Sequence, residues 1–156
     1  MKLATREDIS APIEAVFEQL SDFDGFERAA LRRGAEVART DDLASPGAGM
    51  TWRTSFDYRG RERRATIELT DYKPPEAIRA DVHGASVEIA VVIDLVAMSR
   101  NRTRMNFSID ARPRTLPARL MIQSLKLARQ SVLKRFRHRI GEFAATIEER
   151  CAARGA

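Results

Sequence analysis

The sequence predicts an α+β fold: a curved antiparallel sheet wrapped around a long C-terminal helix, with two short helices after the first strand. Three observations predict it. A strand-like start carrying Ile9-Ser10-Ala11-Pro12 runs directly into helical spacing. From Ala35 to Asp110 apolar and polar side chains alternate with period two, the pattern of strands with one buried face. Apolar residues then recur at helical spacing from about Leu116 to about Arg150. A sheet with one apolar face must cover it, and the last helix is the element long enough to do so. Sheet and helix in this order leave an apolar hollow between them, suited to a small apolar molecule.

Each element follows in turn. Residues 2–10 read as a strand with Leu3, Thr5, Glu7 and Ile9 on one face. Ser10 is placed to cap the next helix and Pro12 to occupy its first turn. Ile13, Val16, Phe17 and Leu20 supply that helix's apolar face, and Ser21-Asp22 caps a second helix from Phe23 to Arg33, which Gly34 ends. A short strand spans Glu36 to Thr40, and Asp41 to Gly49 is a loop. Met50, Trp52, Thr54, Phe56 and Tyr58 then share one strand face, with a tight turn at Arg59-Gly60. Ala65, Ile67 and Leu69 point inward from the next strand, and Lys73-Pro74-Pro75-Glu76 breaks the chain. Ile78, Ala80 and Val82, then Val87, Ile89, Val91, Ile93 and Leu95, then Met105, Phe107 and Ile109 complete the inward set. The terminal helix is expected to be unbroken, with Met121, Leu125, Ala128, Val132, Phe136, Ile140, Phe143 and Ile147 on one face.

With 156 residues, 44% hydrophobic and 31% charged, the chain has the size and composition of one soluble globular domain, taken as residues 1–156. Its single cysteine, Cys151, and two histidines, His83 and His138, make neither an internal disulfide nor a metal cluster, so no metal site and no cofactor are expected. The start of the chain is charged where a signal peptide needs an apolar run, and no stretch is long enough to span a membrane, so a cytoplasmic location is expected. Charge is uneven. No acidic residue lies between Asp110 and Glu142, a stretch with nine bases; against a total of +5 this leaves the rest of the chain at −4. Arg119, Lys126 and Arg137, flanked by Arg129 and Lys134, are expected opposite the apolar face of the last helix. Such a stripe suits solvent, an anionic membrane surface or an acidic partner. Nucleic acid fits it poorly, because no stacking aromatics interleave with the bases.

The candidate ligand-binding residues are Trp52, Phe56 and Tyr58 from one strand face, Phe107 from another, and Met121 and Leu125 from the helix. The same residues also read as ordinary core. Glu7 shares the inward face of the first strand, where burial would raise its pKa. His83 falls on the outward parity, and His138 lies among arginines. Ser124 and Ser131 lie near the helix's apolar face, with no histidine and acid in sequence to make either a nucleophile. No catalytic residue is assigned.

The run Ile9-Ser10-Ala11-Pro12-Ile13-Glu14-Ala15-Val16-Phe17, the following Leu20-Ser21-Asp22-Phe23, the paired hairpins and the terminal helix carry a resemblance over essentially the whole chain. The chain resembles the START-like superfamily, also called SRPBCC, whose helix-grip fold is shared by birch-pollen-allergen-like proteins and bacterial polyketide cyclase/dehydrase and lipid-transport proteins. The resemblance implies a cavity for a lipid, quinone, polyketide or other apolar ligand. Binding or carrying such a ligand is the first expectation. A polyketide cyclase/dehydratase-type enzyme using the same cavity is the second. A module docking through its basic helix is the third. No family catalytic motif matches here, and no catalytic residue is carried over.

Overall fold

The computed structural model describes residues 1–155; Ala156, the last residue of the expected domain, lies outside them. The elements run β1 (Lys2–Ile9), α1 (Ile13–Leu20), α2 (Phe23–Arg32), β2 (Glu36–Arg39), β3 (Thr51–Tyr58), β4 (Arg61–Lys73), β5 (Ala77–Gly84), β6 (Val87–Ser99), β7 (Arg102–Pro113), α3 (Leu116–Leu127) and α4 (Arg129–Arg154). The strands form one 7-stranded antiparallel sheet in the order β1-β7-β6-β5-β4-β3-β2. Consecutive strands from β2 to β7 are neighbours, so hairpins suffice, and only β1 crosses to pair with the last strand.

Register places the predicted inward residues together. Trp52 pairs with Ile67, Ile67 with Val82, Val82 with Ile89 and Ile89 with Ala111. Phe107 lies between Thr5 and Ile93. A bulge between Leu69 and Asp71 shifts the parity of β4, so that Tyr72 joins the inner face opposite Ile78. The β3–β4 turn holds Arg59 and Gly60 at φ 53° and 75°, the left-handed pair that a two-residue hairpin needs.

The filled core sits at one end of the inner face. Ile9, Val16, Phe17, Leu20, Met50, Trp52, Leu69, Ile78, Leu95, Met105, Ala144 and Ile147 form one buried cluster beneath α1 and α4. Thr103, fully buried, donates its hydroxyl to the Ala11 carbonyl at 2.8 Å and ties β7 to the entry of α1. On the outer face Asp8 accepts from Arg104 Nε at 2.9 Å and also pairs with Arg102. These two guanidiniums hold its carboxyl well below the usual carboxylate range.

Two expectations are corrected. Ser10 does not cap α1: Pro12 holds the cap position without a side-chain bond, and the Ser10 amide donates to Glu148 Oε1 of α4 at 2.6 Å. The terminal helix is not continuous. It breaks at Ala128, which leaves helical geometry at φ −101° and ψ 26°. Neither proline nor glycine marks the break. Its two sides rest on different supports, α3 against β7 and α4 against β1 and α1, and one straight axis does not follow both.

Two predictions follow from this packing. Replacing Gly141 in the middle of α4 by alanine puts a Cβ at ordinary contact distance, 3.5 Å, from Glu7 Oε1. Gly141→Ala is therefore expected to stabilise by about 0.5–1 kcal/mol, the helical cost of glycine, read as a rise in thermal midpoint. Asp8 has a depressed folded pKa, so its contribution is present above the unfolded value near pH ~4 and is lost as pH falls below it. The stability gap between wild type and Asp8→Asn is expected to be constant at neutral pH and to shrink in acid, as urea titrations at several pH values would show.

Candidate functional site

Inner-face residues on the side of the sheet away from α1 are not sealed. Ala80, Val82, Ile89, Val91 and Ile109 are half-buried, although their side chains are apolar and point inward. Phe56 and Tyr58, beyond them on β3, are exposed. α4 lies along the β1 edge, with Gly141 against Glu7 and Glu148 against Ser10. α3 packs on β7 through Ala118 and Ile122, its two buried residues. The helices thus cover one side of the sheet and leave the apolar inner wall of β3 to β6 only half-covered.

The six candidate ligand residues divide. Trp52 is in the filled core, 7% exposed, with its ring 5.5 Å from Phe23 and its Nε1–H donated to Glu27 Oε1 of α2 at 2.7 Å. Phe107 stands at the boundary, half-buried and 6.1 Å from the Phe136 ring of α4. Phe56 and Tyr58 stand at the rim, and Arg59 lies over the Tyr58 ring at 5.4 Å. Met121 and Leu125 share the arc of α3 that carries Ala118 and Ile122, yet both remain exposed.

Glu7 is half-buried on the inner face and pairs in register with Met105. Four strands separate β1 from β3, so Glu7 and Tyr58 are not brought together along the sheet. His83 lies on the outer face beside Glu88, 3.4 Å away, and His138 pairs with Glu142 at 2.6 Å. The Ser124 hydroxyl donates to the Leu120 carbonyl, the usual local bond of a helical serine. Burial in the tail raises the pKa of the Cys151 thiol, which keeps it a weak nucleophile.

One residue of the inner wall was missed by sequence reading. Arg63 pairs with Phe56, so it projects from the inner face of β4, two residues before Ala65. Its Nε is buried and has no hydrogen-bond partner among the described residues. The signal was present in the alternation: extending the inward parity of Ala65, Ile67 and Leu69 back by one step lands on an arginine. A desolvated guanidinium nitrogen without an acceptor is costly, and an acidic group arriving from solvent would satisfy it.

A concavity of about 600 Å³ lies along the β1–β7–β6 side and shares Phe107 with the candidate ligand residues. Ala4, Arg6, Asn106, Ser108, Val92 and Asp94 border it from the outer face, joined by Arg137 of α4 and by Thr5, Glu7 and Phe107. Its charged, mixed lining does not suit an apolar ligand. Arg137, exposed on α4, borders the concavity with β1 residues.

A family model described as polyketide cyclase/dehydrase and lipid transport matches residues 1–148. The chain belongs to this family. Comparison with curated proteins gives no match. Among solved structures, the family member described here is similar to a protein from Thermus thermophilus at 18% identity and TM-score 0.66, covering 100% of both chains. It is similar to the Zhui aromatase/cyclase from Streptomyces sp. R1128 at 17% identity and TM-score 0.64, covering 93% of each. A START superfamily protein from Mycobacterium smegmatis matches at 13% identity and TM-score 0.55, covering 86% of this chain and 95% of that one. At these identities the likeness establishes the fold, the START-like helix grip. No helix among the described residues is long and apolar enough to cross a membrane.

The division of the six candidates has a direct test. Trp52→Phe is expected to cost about 1 kcal/mol through the lost bond to Glu27 while leaving the affinity for an apolar probe unchanged.

Proposed function

We propose that this protein binds or carries a small hydrophobic molecule between the inner sheet face and the C-terminal helices. The observation that carries the reading is the row of half-buried apolar side chains, Val82, Ile89, Val91 and Ile109, at positions where a packed core would seal them. Phe56, Tyr58, Phe107, Met121 and Leu125 form the rest of the proposed wall, and Trp52 belongs to the adjoining core. Family membership supports ligand binding as a class.

Magnitudes suggest a second requirement. Covering about 200 Å² of wall and as much ligand surface is worth ~10 kcal/mol at about 25 cal/mol per Å². Association itself costs about 4–15 kcal/mol. Apolar contact alone therefore leaves weak binding, and one desolvated polar contact decides the outcome. Arg63 is placed to make it, so the ligand we infer has an apolar body and an acidic end, as a fatty acid or an enolic polyketide does. A cyclase-type reaction in the same hollow is the alternative reading, and Arg63 would then steady developing negative charge on a carbonyl oxygen.

Native mass spectrometry of the purified protein is expected to detect a co-purified ligand of this kind. Val91→Trp, which fills the hollow, should abolish uptake of a long-chain fatty acid and leave the circular dichroism spectrum unchanged. Arg63→Gln should weaken the fatty acid by about tenfold, the loss of one charged hydrogen bond, and leave the matching alcohol unaffected. Full binding in Val91→Trp would remove the reading.

A further inference from the structure

α3 carries a second apolar face that neither the core nor the hollow explains. At 100° per residue Leu116, Leu120 and Leu127 fall within an arc of about 40°, on the side away from Ala118 and Ile122. They are 69%, 57% and 92% exposed. Arg119 and Lys126 border this stripe, where an outward row of bases alone was expected. Neither base has an ion-pair partner among the described residues.

The facing lip of the hollow has the same character. Tyr58 pairs with Arg61 at the β3–β4 tip, Ala65 with Gly84, and Val87 with Pro113, so the hairpin tip and the start of α3 lie at one end of the sheet. That tip exposes Tyr58 beside Arg59 and Arg61. One end of the molecule therefore presents exposed apolar side chains beside unpaired bases, with the exposed acids Asp57 and Glu62 also at the hairpin tip.

We infer that this end docks on an anionic lipid bilayer, with Leu116, Leu120 and Leu127 of α3 entering the headgroup boundary. An amphipathic helix with leucines on one face and bases along one flank is an element suited to such an interface. Charge selects the partner. No acid occurs between Asp110 and Glu142, so a two-fold pairing of this face with a second copy sets like charges against each other. Nucleic acid would leave the leucines in water. Docking is independent of which ligand the hollow takes, though it sets the rim against a source of apolar molecules.

The test is flotation of the full chain with phosphatidylcholine vesicles, with and without phosphatidylserine, at low and moderate salt. Association with the phosphatidylserine vesicles, weakened by salt, is expected. Leu120→Glu with Leu127→Glu should reduce it at least about tenfold, and Arg119→Glu with Lys126→Glu should remove its dependence on phosphatidylserine. Val96→Glu, an exposed position on the outer face, serves as the control and should bind as wild type. Unchanged thermal midpoints establish that the variants fold. No association with either vesicle would overturn the proposal. So would equal loss in Val96→Glu, or a self-association that Leu120→Glu abolishes without vesicle binding.

Discussion

The seating of α4 on the inner face beside β1 is the contact on which the rest of the structure depends. Ala144 and Ile147 are buried with Ile9, Val16 and Met105, and Ile140 and Phe143 pack against that cluster. Glu148 accepts the Ser10 amide, and Glu18 of α1 pairs with Arg154 at 2.5 Å, so the far end of the helix is fastened to both ends of α1. Gly141 of the same helix faces the Glu7 side chain. With the helix fixed at that end and edge, its opposite portion cannot also cover the width of a seven-stranded sheet. The uncovered width is the wall of the proposed site.

The break at Ala128 is the second consequence of this seating. α4 follows β1, and α3 must reach the end of β7, where the chain emerges from the sheet. Each segment buries its own small apolar arc. α3 has apolar residues left over, and the two sets have different surroundings: Met121 and Leu125 share the buried arc, and Leu116, Leu120 and Leu127 face water. A protein that only needed a packed core would gain by making those leucines polar. Their exposure, like that of the inner wall, is the surface that the proposed partners would cover.

Most of the fold was legible because sheet periodicity is local information. The alternation from Met50 to Tyr58, and from Val87 to Leu95, fixes both element and face, and the observed registers respect it. The helix break was not legible, because Leu125, Ala128 and Val132 keep helical spacing straight through it and no proline or glycine interrupts them. It is imposed by what the two segments rest on. Trp52 shows the limit at the site: parity says that it points inward, while its neighbour Phe23 and the acceptor Glu27, both on a separate helix, decide that it is core. Arg63 lies within reach of the same parity argument, but its charge ends the apolar run at Ala65. The Leu116, Leu120, Leu127 stripe also has helical spacing, but only knowing that Ala118 and Ile122 face β7 separates it from the inner arc.

The central claim, that the inner wall is an open apolar site, is tested most directly by methyl-resolved NMR of the protein titrated with a long-chain fatty acid. The account predicts saturable shifts in the methyls of Val82, Ile89, Val91, Ile109 and Met121. The methyls of Ile9, Met105 and Ile147 in the filled core should stay in place. Shifts confined to Val92 and Val96 on the outer face, or none at all, would contradict it.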